Sequence, residues 1–206
     1  MNGAVMKNFV ADDAPFASSR VGHGGIMVSE VDESDGSIAL FDPEIAVLNN
    51  VSLDHKSLDE LRQLFGDFAR KAKVAVWNAD DDETVALVKT LDLTNQVSFG
   101  LSDCAAFRAS NVEEAPLGSQ FTLHADGGEY PVNLQVPGLH NISNALASIA
   151  AASAAGVPIE TCIAAISQFT GLARRFDIIG SSNNISVIDD FGHNPDKIAA
   201  TLNTLK

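Results

Sequence analysis

Basic residues and cysteines are scarce in this chain, and each scarcity excludes a class of protein. Its 13 Lys and Arg residues stand against 27 Asp and Glu residues, for a formal net charge of −14. Because nucleic acid binding needs a dense set of basic side chains, we expect no nucleic acid partner. The two cysteines, Cys104 and Cys162, form no CxxC pair, so we expect reduced core thiols rather than a disulfide or a zinc site.

Long apolar runs are also missing. The longest strongly apolar stretch, residues 145–156, is rich in Ala and Ser and is too short to span a bilayer. The first residues lack the charged, apolar and cleavage regions of a signal peptide. We therefore expect a cytoplasmic protein without a membrane partner, and a hydrophobic content of 46% over 206 residues is enough for a buried core.

The first half of the chain alternates between strand and helix patterns. Short runs rich in β-branched residues predict buried parallel strands at Ile26–Val31, Ile45–Val51 and Lys73–Trp77. Ser57 is a predicted N-cap, and apolar residues at spacings of three and four follow it. A second helix is predicted after the acidic run that follows Asn78.

The pattern changes after Gln96, where we expect an antiparallel patch that contains a hairpin. It comprises strands near 97–99, 105–112, 119–124 and 129–136. Helices are predicted from Ile142 to Ser153 and from Ile159 to Phe169. The expected fold class is therefore α/β, with a largely parallel central sheet flanked by helices and an antiparallel β patch, and the first twenty residues are expected to be loop or a frayed edge.

Paired charges surround two short strands near the end of the chain. Arg174 and Arg175 follow the flexible Gly171 and can clamp phosphate oxygens. Asp189 and Asp190 end an apolar strand, where ligands of open α/β sheets usually bind, and can accept hydroxyl protons, for instance from a ribose. This combination indicates a nucleotide held between two domains.

Five segments together resemble the Mur ligases, the ATP-dependent enzymes that add amino acids to cell wall precursors. They read SEVDESDGS, NNVSLDH, VPGLHNISNALASIAAA, GLARRF and IDDFGHNP, and they run from Glu30 to Pro195 in the family's order. Their sequences are most similar to those of the branch that adds L-alanine, or of the related branch that reattaches a recycled peptide.

The resemblance implies a central ATPase domain over residues 1–174 and the start of a Rossmann-like C-terminal domain over residues 175–206. It also implies ATP and Mg²⁺ as cofactors. UDP-N-acetylmuramate and L-alanine, or a murein peptide, are the implied substrates, joined through an acyl phosphate.

One family feature is missing from this sequence. A Mur ligase holds phosphates with a GxxxxGK[ST] loop, and no Gly-Lys pair occurs here. We therefore expect an internal segment of a ligase, without the phosphate loop and most of the last domain, that is inactive alone. A non-catalytic nucleotide-binding or assembly module with the same fold is the main alternative, and a metal-dependent hydrolase is a third.

The resemblance assigns metal and catalytic roles to Glu30 and His55. Parallel strands would bring both side chains to one edge of the sheet, where they could hold a divalent metal. The structural alternative is a solvated acidic loop at Glu30 and a helix cap at His55. His193 is predicted to reach the phosphate or the incoming substrate, or else to cap the helix that starts at Pro195.

The nucleotide-binding residues implied by the resemblance are Asn141, Asn144, Arg175 and Asp190. Asn144 is expected to meet adenine with Asn141 beside it, because an amide both donates and accepts hydrogen bonds. Arg175 would meet phosphate and Asp190 the ribose. The alternative is that either Asn only caps its helix. Arg174 and Asp189 are possible surface charges, and His23 and His124 are expected to be surface or turn residues.

Overall fold

The fold is taken from a computed structural model of the chain, which describes residues 5–9, 18–53, 56–183, 185–193 and 195–205. Its strands are Ile45–Leu48 (β1), Val74–Asn78 (β2), Gln96–Gly100 (β3), Phe107–Ala115 (β4), Gly118–Ala125 (β5), Gly128–Leu134 (β6), Asp177–Ser182 (β7) and Ile185–Asp189 (β8). Its α-helices are Leu58–Lys71 (α1), Asp82–Thr90 (α2), Leu139–Ala154 (α3), Ile159–Ile166 (α4) and Pro195–Thr204 (α5).

The main sheet has six strands in the order β1-β2-β3-β4-β5-β6. Strands β1 to β4 are parallel to one another, and β4, β5 and β6 are antiparallel. The predicted α/β class with a largely parallel sheet and an antiparallel patch is confirmed. The prediction that the antiparallel patch begins with the strand at 97–99 is wrong, because β3 pairs in parallel with both of its neighbours.

Helices cover both faces of the parallel part of the sheet. Val76 of β2 packs in one cluster with Ile142 and Leu146 of α3. Its neighbour Ala75 packs in the other cluster with Leu61 of α1. Because successive strand residues point to opposite faces, both sides of β2 are buried, which explains why its sequence is apolar without alternation.

The helix starts follow local sequence signals. Ser57 caps α1 and forms a capping box with Glu60, whose side chain accepts the Ser57 N–H at 3.0 Å. Asp81 caps α2 and accepts the Thr84 N–H at 2.8 Å. These contacts satisfy backbone donors that a helix leaves unpaired in its first turn. The predicted cap at Ser57 is confirmed.

The predicted strand at Ile26–Val31 is wrong. These residues form no strand pairing within the described part of the chain, and Met27 and Val28 are 87% and 92% exposed. A β-branched pattern supports a strand only where a neighbouring strand supplies hydrogen bonds and packing. Glu30 therefore lies in an exposed segment, not at the end of a strand.

Two smaller expectations also need correction. Cys104 is exposed in the loop between β3 and β4, whereas Cys162 is buried in α4, so only Cys162 is a core thiol. Burial raises the pKa of the Cys162 thiol. The predicted helix from Ile159 to Phe169 is shorter and ends at Ile166. Across the described residues, no helix is long and apolar enough to cross a lipid bilayer.

Strands β7 and β8 form a separate antiparallel hairpin, which is followed by α5. We call residues 177–205 the C-terminal unit. The end of α5 lies close to the start of α3, since a Cβ built on Gly138 would come within 2.6 Å of the Thr204 Oγ1 atom. The two parts of the chain therefore meet where α3 begins.

Candidate functional site

A groove lies where the C-terminal unit joins the main sheet. Pro137 and Asn141, at the start of α3, line it together with Gly171, Arg175 and Phe176. The residues predicted to bind a nucleotide thus divide into two groups. The structure brings Asn141 and Arg175 to this groove, whereas Asn144 and Asp190 are not among the described residues that line it.

Asn141 does not cap its helix. Gly138 is the N-cap of α3, and no side chain caps this helix. Instead the Asn141 Nδ2 atom donates to the Pro137 carbonyl at 2.7 Å, which fixes the loop that enters the helix. This bond uses the donor end of the amide, and the side-chain carbonyl keeps its capacity to accept.

Asn144 lies one turn further along α3 and is exposed. Its backbone carbonyl accepts a hydrogen bond from the Ser148 Oγ atom at 2.8 Å. Asn144 shares a helix face with Asn141, because residues three apart are neighbours on a helix. Its predicted contact with adenine stays a prediction.

The segment from Gly171 to Phe176 has an unusual backbone. Gly171, Arg174 and Phe176 have φ angles of 94°, 61° and 46°. Non-glycine residues adopt such left-handed conformations at a cost and keep them only where neighbours hold them in place. Gly171 therefore works as the predicted point of exit, and the two non-glycine residues that follow need support from the surrounding structure.

Asp190 supplies part of that support. Its Oδ2 atom accepts the Phe176 N–H at 2.9 Å, and its Oδ1 atom accepts the Gly192 N–H at 2.7 Å. Both carboxylate oxygens are thus bound to main chain inside the junction. The predicted contact with a ribose is not tested by this geometry, but the carboxylate has a structural role that the sequence did not reveal.

Arg174 and Arg175 both lie against the ring of Phe191. Their guanidinium carbons are 5.0 and 5.5 Å from its centroid, within the range of cation–π contacts. Arg174 also pairs with Asp189, with its Nε atom 3.5 Å from Oδ2. The Arg174 and Asp189 side chains are 64% and 36% exposed, whereas Arg175 pairs with no carboxylate among the described residues.

His193 lies beside the same aromatic ring. Its Nδ1 atom is 3.2 Å from the Phe191 carbonyl oxygen, and its Nε2 atom is 3.2 Å from the Lys197 Nζ atom. A carbonyl can only accept and an ammonium can only donate, so this arrangement fits a neutral ring with its proton on Nδ1. Its predicted contact with phosphate or substrate stays a prediction.

The proposed metal ligands are not seen together. His55 lies outside the described residues. Glu30 is exposed, and in the loop after it the Asp32 and Asp35 carboxylates accept the N–H groups of Ser34 and Ser37, each at 2.8 Å. Hydrogen bonds from Ser37 lower the pKa of Asp35. Within the described part of the chain, no three His, Cys, Asp or Glu side chains form a group that could hold a metal.

Two histidines have environments that the sequence did not indicate. His124 lies on β5 rather than in a turn, with Nε2 at 2.6 Å from the Ser110 hydroxyl and Nδ1 at 3.3 Å from the Glu129 carboxylate. His23 is exposed, as expected. At the start of α3, desolvation lowers the pKa of His140 from its ordinary value of 6.5, while the charges of Asp190 and Glu114 act to raise it.

Sequence reasoning also missed the residues near the N-terminus. Lys7 lines the groove with Asn141 and Arg175, and its ammonium lies 2.6 Å from the Asp177 carboxylate. The expectation that the first twenty residues are loop or a frayed edge is therefore wrong for residues 5–8, since Met6 pairs with Leu172 in an antiparallel bridge and a 3-10 helix begins at Lys7. No local pattern could reveal this contact, because its partners are 170 positions apart in the sequence.

The architecture defines a two-part α/β protein with a groove at its junction that both polar and apolar side chains line. The chain belongs to the Mur ligase family. A model described as the Mur ligase middle domain matches residues 17–152, and one described as the Mur ligase, glutamate ligase domain, matches residues 174–206.

Similar proteins carry names from this family. The UDP-N-acetylmuramate--L-alanine ligase of Geobacter sp. (strain M21) is 37% identical over 202 residues, which cover 92% of this chain and 42% of that protein. The solved UDP-N-acetylmuramate-alanine ligase of Thermotoga maritima is 31% identical with a TM-score of 0.71, and the match covers 85% of this chain and 41% of that one. A solved murein peptide ligase of Psychrobacter arcticus is 31% identical with a TM-score of 0.64, covering 82% and 36%. The chain thus spans less than half the length of these relatives.

Proposed function

We propose that this chain is part of an ATP-dependent ligase of peptidoglycan precursor synthesis, which adds L-alanine to UDP-N-acetylmuramate through an acyl phosphate. The observation that carries the proposal is the groove, which Asn141 and Arg175 line from separate parts of the chain. The names of the relatives support the substrate class. The addition of a recycled murein peptide is the second candidate, favoured by the likeness to the Psychrobacter enzyme.

The same proposal includes the domain division, with residues 1–174 in the central domain and residues 175–206 at the start of the C-terminal domain. The strained turn at Arg174 and Phe176 lies at this boundary. A cytoplasmic location belongs to the proposal through the family resemblance.

The groove residues fit a nucleotide. The Asn141 side-chain carbonyl can accept a hydrogen bond, the Arg175 guanidinium can bind phosphate oxygens through two parallel hydrogen bonds, and the Phe176 ring offers an apolar surface. Arg175 is exposed and has no carboxylate partner among the described residues, so its charge remains available to an anion. When bound, ATP would supply the phosphoryl group, and the role of these residues is to bind and orient it.

Mg²⁺ is the second proposed cofactor, with Glu30 and His55 as its ligands. The described residues around Glu30 do not form a metal site, because its acidic neighbours Asp32 and Asp35 are bound to the backbone of their own loop. In the full-length enzyme, Glu30→Ala and His55→Ala should reduce Mg²⁺-dependent turnover far more than they change the melting temperature. If a variant loses turnover and thermal stability to the same degree, the substituted residue has a structural role.

Titration with a non-hydrolysable ATP analogue tests the nucleotide site in the full-length enzyme. Asn141→Ala and Asn144→Ala test which amide contacts the base, and the loss of such a contact should cost about 1–3 kcal/mol. Arg175→Lys should weaken binding because an ammonium cannot reproduce two parallel hydrogen bonds. The matched control is Arg174→Lys, which changes the adjacent, ion-paired arginine. Unchanged affinity in all the test variants, with normal melting curves, would end the assignment.

The 206-residue chain by itself should show no ligase activity, because it contains no Gly-Lys phosphate loop. Phosphate release from ATP that depends on UDP-N-acetylmuramate and L-alanine, above a blank, would contradict this expectation.

A further inference from the structure

Residues Val5–Asn8, which we call the strap, are bonded to the strained segment that joins the two parts of the chain. The Ala173 N–H donates to the Val5 carbonyl at 2.8 Å, and the Lys7 N–H donates to the Gly171 carbonyl at 3.2 Å. Met6 and Leu172 lie opposite each other in an antiparallel bridge. The strap therefore pairs with the junction like a short piece of β-sheet.

Asn8 ties the strap to the residues that precede Gly171. Its Nδ2 atom donates to the Gln168 carbonyl at 2.7 Å. Its Oδ1 atom accepts both the N–H and the hydroxyl of Thr170, at 2.8 and 2.9 Å. Both ends of the amide are used at once, so Asp at this position would keep the acceptor and lose the donor.

Lys7 ties the strap to the residues that follow. Its Nζ atom lies 2.6 Å from the Asp177 Oδ1 atom, with the two side chains only 38% and 24% exposed. The other oxygen of Asp177 accepts the Arg174 N–H at 3.1 Å. These contacts, with the Lys7 hydrogen bond the strongest, lower the pKa of Asp177. One carboxylate thus connects the strap to a residue in the left-handed conformation.

Arg175 lies within this arrangement of contacts. Arg175 stands between Arg174 and Phe176, whose backbones are both left-handed. Such conformations persist only when surrounding contacts outweigh their cost. Asp190 holds Phe176 from the C-terminal side, and the strap, acting through Asp177, holds Arg174 from the other.

We propose that Lys7, Asn8 and Asp177 are positioning residues that hold the junction in the conformation in which Arg175 lines the groove together with Asn141. This inference rests on the proposed nucleotide site and adds the part of the chain that sets its geometry. When the strap is released, the junction samples other conformations. The apparent nucleotide affinity then falls in proportion to the fraction of molecules that keep the conformation competent for binding.

Hydrogen exchange of the 206-residue chain tests the first half of the proposal. In Asn8→Ala, the amides of Thr170, Ala173 and Arg174 should exchange about tenfold faster, since the variant removes three hydrogen bonds that hold this segment closed. Lys7→Met should speed up the amide hydrogen exchange of Ala173 and Arg174, and Lys7→Arg should restore the wild-type exchange rates. The control is Lys73→Met, which removes an equally short ion pair to Glu44 outside the junction.

Titration of the same variants with a non-hydrolysable ATP analogue tests the second half. We expect Kd to rise in parallel with exchange in Asn8→Ala and Lys7→Met, and to recover in Lys7→Arg. Exchange at the wild-type rate in Asn8→Ala and Lys7→Met would overturn the proposal. Faster exchange with unchanged Kd would overturn it as well, while a weakening effect of Arg175→Lys would still support the nucleotide site.

If the unsubstituted chain and the full-length enzyme both bind no nucleotide, the proposed function fails, and the positioning role fails with it. Lys7→Met and Lys7→Arg keep the test decisive if Asn8→Ala does not fold.

Discussion

Replacing Asp190 with Ala should destabilise the junction, because its carboxylate accepts two backbone N–H groups, those of Phe176 at 2.9 Å and Gly192 at 2.7 Å. Hydrogen bonds to charged groups contribute about 1.5–3 kcal/mol each when they are well shielded. The side chain is only partly buried, so solvent reduces that value. The sum is about 2–3 kcal/mol, which corresponds to a fall of about 4–12 °C in melting temperature for a chain of this size.

The neighbouring Asp189 provides the control for this prediction. Its contact is an exposed pair with Arg174 at 3.5 Å, and such pairs contribute about 0–1 kcal/mol. Asp189→Ala should therefore melt within a few degrees of the wild type. Asp190→Asn should lie between the wild type and Asp190→Ala, because an amide keeps one acceptor oxygen.

Thermal melting followed by circular dichroism gives the stability, and hydrogen exchange gives the location. In Asp190→Ala, the amides of Phe176 and Gly192 should lose protection first. If Asp190→Ala and Asp189→Ala melt alike, with both amides exchanging as in the wild type, the structural role assigned to Asp190 is refuted. A loss of ATP affinity in a variant that melts normally would then speak for a contact with the ribose.

Three further predictions concern stability. Ser57→Ala should cost about 1 kcal/mol in chemical denaturation, because it removes the capping box of α1. Gly138→Ala should destabilise the chain by more than Gly156→Ala: both residues have positive φ, but a Cβ at Gly138 would also meet Thr204 and His140, whereas nothing lies within 4 Å at Gly156; equal melting temperatures would show that the contact with α5 is absent. Because His140 has a lowered pKa in the folded state, the folded chain binds fewer protons at this residue than the unfolded chain does. The contribution of His140 to the free energy of unfolding is therefore full above pH about 6.5 and is lost as the pH falls through the lowered pKa. His140→Gln should flatten the dependence of stability on pH between about pH 7 and pH 5, and an unchanged profile would contradict this.

Local sequence signals predicted the helices, turns and strands that are determined by residues close to one another in the sequence. The helix after Ser57 and its cap follow from the spacing of apolar residues and the Ser-to-Glu60 capping box. The hairpin between β5 and β6 follows from Asp126-Gly127, which adopt φ angles of 50° and 76° at the turn. The same signals placed strands at β1 and β2, because buried parallel strands are continuous apolar runs.

Features that depend on distant partners could not be predicted in this way. Ile26–Val31 carries a strand pattern but has no strand beside it among the described residues, so the pattern alone misled. The parallel pairing of β3 is set by β2 and β4, not by its own residues. The strap joins Asn8 to Thr170 across 162 positions, and only the folded chain shows that Lys7 and Arg175 line one groove.

The proposed nucleotide site lies between the start of α3 and the junction before β7. The most direct measurement is a titration of the isotopically labelled chain with an ATP analogue, followed residue by residue through its amide resonances. We expect saturable shifts concentrated at residues 138–144 and 170–176, and their loss in a variant that combines Asn141→Ala with Arg175→Ala. Shifts centred elsewhere would contradict this site. The absence of shifts at millimolar nucleotide, both in this chain and in the full-length enzyme measured for comparison, would contradict it as well.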